Sequence, residues 1–133
     1  GAHTRSHTRL SLLGDPSRVR QEVLGAKGDL EVLLGGSVRA FAYPYGDVDA
    51  ASVDAVREAG YEIACTARPG WLGSNPSRLR VRRVAVFSKD GPAVLARKLA
   101  FADNDVGWLR MASYASRRLR SRVAIPKKET LHA

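Results

Sequence analysis

Two stretches of this chain hold the residue types that hydrolytic chemistry uses. The first is "GAHTRSH", in which His3 and His7 stand four residues apart. On a helix, histidines at that spacing share a face and can bind zinc. The metalloprotease version of this motif needs a glutamate directly after the first histidine. Thr4 occupies that position, so metalloprotease chemistry is excluded. A bare pair at this spacing is equally what a stray surface pair or an expression remnant would look like. The second stretch is "YPYG" at 43–46, where Pro44 cannot donate to a strand ladder and Gly46 favours a tight bend. Taken alone, it is an ordinary turn after a strand.

The segments between them predict the scaffold. Asp15 and Pro16 read as an N-cap and the first helical residue. Val19, Val23, Ala26, Leu30, Leu33 and Leu34 then form one apolar stripe of helical period, ended by Gly35-Gly36. Gly25 and Gly28 inside that helix each cost about 1 kcal/mol relative to alanine. "SVRAFAY" predicts a short buried strand stopping near Tyr43. Asp49 caps a second helix with Val53 and Val56 on one face and Gly60 at its end. "YEIACTA" predicts another strand, "RPGWLGSNPS" a loop, and "RLRVRRVAVF" a half-buried strand with Arg78, Arg80 and Arg82 along its wet face. Strand and helix alternation of this kind points to an α/β fold with parallel strands. From 91 onward the pattern is helical. Trp108, Leu109, Met111, Ala112 and Ala115 are placed to cover one face, and "AIPKKETLHA" has no period and reads as a frayed tail.

Composition narrows the function classes. The 133 residues fit one domain, with 44 % hydrophobic content. No run of eighteen apolar residues occurs, and the start lacks the layout of a signal peptide. Cys65 is the single cysteine. An internal disulfide and a cysteine-rich zinc site are therefore excluded, and its apolar surroundings suggest a buried, inert thiol. The formal charge is +9, from 22 Lys and Arg against 13 Asp and Glu. Much of the excess sits at 78–83 and 117–128. The basic carboxy-terminal segment suits contact with an anionic membrane or polymer. No specific nucleic acid is expected, because aromatic residues are not interleaved with the arginines.

The order "GAHTRSHTRL", helix, "FAYPYG", "EAGYEIACTARPG", "RLRVRRVAV" resembles the polysaccharide deacetylase family, the NodB-homology domain of carbohydrate esterase family four, over residues 1–90. Residues 91–133 would be a helical, basic extension. The resemblance implies a deformed (β/α) barrel, here partial and missing its first strand. It also implies hydrolysis of N-acetyl groups from amino-sugar polysaccharides, at the cell envelope or outside the cell. In the family, a His-(Ser/Thr)-x-x-His motif supplies two metal ligands, which maps onto His3 and His7. The implied cofactor is a divalent metal of the zinc type. The residue after the motif proline, here Tyr45 following Pro44, offers its backbone N–H to the oxyanion. Tyr43 and Trp71 are candidates to contact the sugar, although Trp71 in its loop fits packing equally well.

Three departures accompany the match. The Asp-Asp segment that supplies the third ligand and the base is not in this sequence, so the chain alone is expected to be inactive or nearly so. Ala42 stands where many members carry arginine, and the carboxylate that would pair with that arginine is missing too. This leaves no buried charge unpaired, and it resembles the branch acting on poly-N-acetylglucosamine. No Leu-x-His motif is found, since Leu131-His132 lacks the intervening residue. A non-catalytic carbohydrate-binding relative is the alternative, and a basic nucleic-acid-binding domain a more distant one.

Overall fold

The computed structural model describes residues 1–74, 76–109, 111–113 and 116. Its centre is a parallel sheet whose two strands, β1 (Ala40–Ala42) and β2 (Ile63–Cys65), pair Phe41 with Ala64. Two single bridges widen it. Ala2 lies parallel to Phe41 on one side and Val81 parallel to Cys65 on the other. Four parallel segments thus lie side by side in chain order. Because parallel neighbours need a crossover, the chain between them must leave the sheet and return. Helix α1 (Pro16–Leu34) makes the first crossover and α2 (Ala50–Glu58) the second.

Both helices start where side-chain caps satisfy their free N–H groups. The Asp15 carboxylate accepts from the Ser17 N–H, with Pro16 at the first position. Asp49 and Ser52 form a reciprocal capping box that leaves Ser52 wholly buried. α1 ends on left-handed Gly35, and Gly60 follows α2 with φ 72°.

The core forms where the two helices meet the sheet. Val19, Val23 and Ala26 of α1 face Val53, Ala55 and Val56 of α2, with Phe41, Tyr61 and Ala64 beneath. Phe41 packs against Tyr43 and Tyr61 at ring distances of 5.2 and 5.1 Å. Each large apolar side chain buried here contributes about 1.5–3 kcal/mol. The Tyr61 hydroxyl donates to the Val23 carbonyl, and Lys27 reaches the Ala59 carbonyl at the end of α2.

Several expectations need correction. The apolar stripe of α1 is buried only through its first part, and Leu33 and Leu34 are exposed. A 19-residue helix is about 28 Å long and outreaches three-residue strands of about 10 Å. "RLRVRR" is not a strand. Ser77 caps a 3₁₀ turn over Arg78–Arg80, and Val81 alone joins the sheet. The alternation nevertheless holds in burial: Leu79 and Val81 turn inward while Arg78, Arg80 and Arg82 stay wet. Cys65 is half-buried. A third helix, α3 (Pro92–Phe101), is anchored by buried Lys98, whose ammonium pairs with Asp90 at 2.5 Å and donates to the Ala85 carbonyl. Trp108 and Leu109 are exposed and cover no core face. Ala115, the basic cluster from 117 and the tail with His132 lie outside the described residues. Among those described, no helix is long and apolar enough to cross a membrane.

Candidate metal centre

The segment before α1 does not continue as a helix, so the two histidines do not meet through helical spacing. They meet because the backbone turns twice into the left-handed region, at Thr4 (φ 60°) and His7 (φ 57°). A β-branched residue with positive φ is a genuine outlier. Such conformations persist only where their surroundings over-determine them. The result is that the His3 and His7 rings stand 4.8 Å apart, edge to face.

What holds this loop is its docking onto α1. Glu22 accepts from the N–H groups of Arg5 and Ser6 at 3.0 and 2.9 Å and from the Ser6 hydroxyl at 2.9 Å. The Arg5 guanidinium makes a two-bond fork to Asp29, 2.6 and 2.7 Å. To reach Asp29, the Arg5 side chain crosses α1 at Gly25, where a Cβ would strike its Cδ and Nε. The helix interior thus gives up propensity at Gly25 to let the clamp pass. Burial alone would raise the Glu22 pKa, but the hydrogen bonds from Ser6 and Arg5 outweigh it and hold the carboxyl below its ordinary value. Arg5 likewise lowers Asp29.

His3 is fixed a second time, from the sheet. Its Nδ1 lies 2.6 Å from the Ala42 carbonyl oxygen at the end of β1. A carbonyl only accepts, so Nδ1 carries a proton, and in the neutral ring the lone pair is then on Nε2. This is the outer hydrogen bond that orients metal-ligating histidines.

The chain leaves β1 through Tyr43 and enters the Pro44–Gly46 turn, closed by the Gly46 N–H on the Tyr43 carbonyl at 2.9 Å. Tyr45 is left-handed (φ 59°, ψ 7°). Its ring stands outward, 58 % exposed, 4.9 Å from the His7 ring, with the Arg9 guanidinium 4.3 Å over it. Among the described residues the Tyr45 N–H donates to no carbonyl. Gly46 is required: φ is 67°, and a Cβ would run into the Ala67 backbone.

The structure therefore brings His3, His7 and Tyr45 together. It withdraws Tyr43, which is fully buried, its hydroxyl donating to the Leu79 carbonyl at 3.0 Å and its pKa pushed up to about 12 by burial. Tyr43 thus belongs to the core cluster of the described residues. Pro44 is buried as the start of the turn, and Trp71 is 66 % exposed in its loop.

Neutral imidazoles suit zinc. The orientation of His3 and the buried Thr4 hydroxyl, which lacks a partner among the described residues, fit a site built to receive something further. The fit is partial. Among the described residues no group of three His, Cys, Asp or Glu side chains forms, and a catalytic zinc uses three protein ligands.

Sequence reasoning missed Glu22, Asp29 and Arg9. A signal existed for the first two: Glu22, Gly25 and Asp29 share one helical face, a gap flanked by carboxylates. Their partner lies across the fold, beyond local pattern.

The sequence profile of the polysaccharide deacetylase family matches residues 1–64. A polysaccharide deacetylase from Bacillus cereus is similar in structure at 29 % identity and TM-score 0.61, over 71 % of this chain and 29 % of that one. The Streptococcus pyogenes deacetylase PplD, solved with acetate, shares the fold at 22 % identity and TM-score 0.65, over 76 % of this chain and 43 % of that one. IcaB from Ammonifex degensii aligns at 26 % identity and TM-score 0.53, over 68 % and 37 %. The chain thus spans less than half the length of each. No curated protein matches. Residues 1–64, carrying the His3–His7 loop, α1, β1, the Tyr45 turn, α2 and the start of β2, are the part of the chain that matches the polysaccharide deacetylase family and resembles the solved deacetylases.

Proposed function

We propose that this chain supplies half of the active centre of a metal-dependent deacetylase that removes N-acetyl groups from an amino-sugar polysaccharide, leaving free amines and acetate. The observation that carries it is the pairing of His3 and His7 at 4.8 Å, with His3 oriented by the Ala42 carbonyl, beside the Tyr45 turn. His3 and His7 would hold a divalent ion of the zinc type. When bound, such an ion supplies Lewis acidity and an acidified water. The Tyr45 N–H, which donates to no carbonyl among the described residues, would be a fixed donor for the amide oxygen that gains charge as the carbonyl carbon becomes tetrahedral. The left-handed turn holds that donor before the reaction, so no reorganisation is needed when charge develops. Trp71 offers an exposed ring to a sugar face.

The reading extends to architecture. The four parallel segments in chain order support a piece of a (β/α) barrel, with residues 1–90 as the deacetylase part and 91–133 as an extension. The third ligand and the base would come from an Asp-Asp segment outside this sequence, so the 133 residues alone should release little or no acetate. The test is acetate release from an N-acetylglucosamine tetramer by this chain and by the product of the same reading frame extended upstream. Activity of the chain alone matching that of a complete enzyme would defeat the proposal.

One observation favours a second reading, a carbohydrate-binding relative without catalysis: the described residues hold two ligands and no third. An upstream frame without an Asp-Asp segment would select it.

A further inference from the structure

Among the described residues several cations are held in ion pairs and others, Arg9 among them, are not. Arg5 pairs with Asp29, Arg20 with Glu58, Arg39 with Glu62, Arg57 with Asp54 and Lys27 with Glu31. Arg9 has no ion-pair partner among the described residues. It is exposed, and its guanidinium lies over the Tyr45 ring at 4.3 Å, the same ring whose edge contact to His7 is 4.9 Å. Asp47, which follows the adjoining turn, accepts from the Ser11 hydroxyl.

The attraction between a guanidinium and a ring face uses the charge and none of the N–H donors, so the Arg9 fork remains for another partner, and it matches a carboxylate. The ring also removes part of the ordering cost that a free arginine would meet on binding. We propose that Arg9 is a specificity-determining residue that engages a carboxylate carried by the polysaccharide, close to the N-acetyl group presented to the His3–His7 centre. This rests on the deacetylase reading of that centre. It makes the substrate an acidic amino-sugar polymer rather than a neutral one. The carboxylate need not touch the reacting atoms, because Arg9 acts at the rim, beyond Tyr45.

The experiment is a binding titration of the chain, followed by backbone NMR shifts, with three tetrasaccharides. One is the neutral N-acetylglucosamine tetramer. The second alternates N-acetylglucosamine with glucuronate, and the third is the second with its carboxylates amidated. The acidic sugar is expected to bind about tenfold tighter than the other two, with shifts at residues 7–9 and 43–47. Arg9→Gln should remove that preference, Arg9→Lys should keep part of it, and neither should change the affinity for the neutral tetramer by more than about twofold. Millimolar acetate should leave the preference intact; if acetate erases it, Arg9 holds free carboxylate such as the product, and the polymer-borne assignment is overturned. Equal binding of all three sugars, unaffected by Arg9→Gln, overturns the inference and leaves the deacetylase reading standing. Binding of none of them overturns both.

Discussion

The Nδ1–H of His3 donates to the carbonyl oxygen of Ala42 across 2.6 Å, tying the first residues of the chain to the end of β1. That bond selects one tautomer and points the remaining lone pair of His3 away from the sheet. It also sets His3 beside the turn that follows Ala42. A mutated side chain cannot remove a carbonyl, so the test falls on the rings themselves. His3→Ala and His7→Ala should each weaken zinc binding by the chain at least tenfold in calorimetric titration, with an unchanged far-ultraviolet spectrum. Undiminished affinity in both variants would show that the pair does not bind zinc.

The turn depends on Gly46. Alanine there meets both a left-handed φ of 67° and the Ala67 backbone. Gly46→Ala should lower stability by about 2 kcal/mol or more, seen as a clear drop in thermal midpoint. Gly28→Ala is the control. Its Cβ meets nothing within 4 Å, and the helix should gain up to about 1 kcal/mol.

The clamp on α1 makes stability depend on acid. Glu22 and Asp29 both have folded pKa values below their ordinary 4.5 and 3.8. Groups lowered by folding contribute fully above their unfolded values, and the contribution is lost as pH falls through the folded ones. The thermal midpoint should therefore decline as pH drops below about 4.5, and Glu22→Gln should flatten that decline while lowering the plateau at neutral pH. A wild-type profile identical in shape to that of Glu22→Gln would contradict the clamp.

Tyr43 separates core from site. If it packs and does not contact substrate, Tyr43→Phe should cost about 1 kcal/mol through the lost bond to the Leu79 carbonyl. Sugar affinity should be unchanged in the same titration. Asp49→Ala should cost a similar amount, about 1 kcal/mol, by opening the capping box of α2.

Local chemistry made much of this fold legible. Asp15-Pro16, Asp49 with Ser52, Gly35 and Gly60 mark helix ends because caps and left-handed residues act over three or four positions, and each marked the end it was read to mark. The strands expected within "SVRAFAY" and "YEIACTA" form, shortened to 40–42 and 63–65, because their apolar runs mark buried strands locally. The order of motifs also carried the resemblance to the deacetylase family, whose model matches residues 1–64. What remained hidden depended on contacts across the chain. Tyr43 and Tyr45 are two residues apart with the same side chain, yet one is fully buried and the other 58 % exposed, because Tyr45 itself takes the left-handed conformation in the turn that follows β1. Gly25 read as a weakness until Arg5, twenty residues earlier, was found crossing it. The sequence by itself determined which residues could ligate, cap and bend. Only the tertiary structure decided that His3 and His7 meet, since their approach comes from two strained backbone positions held down by Glu22 and Asp29, and no periodicity encodes a strain that distant carboxylates hold in place.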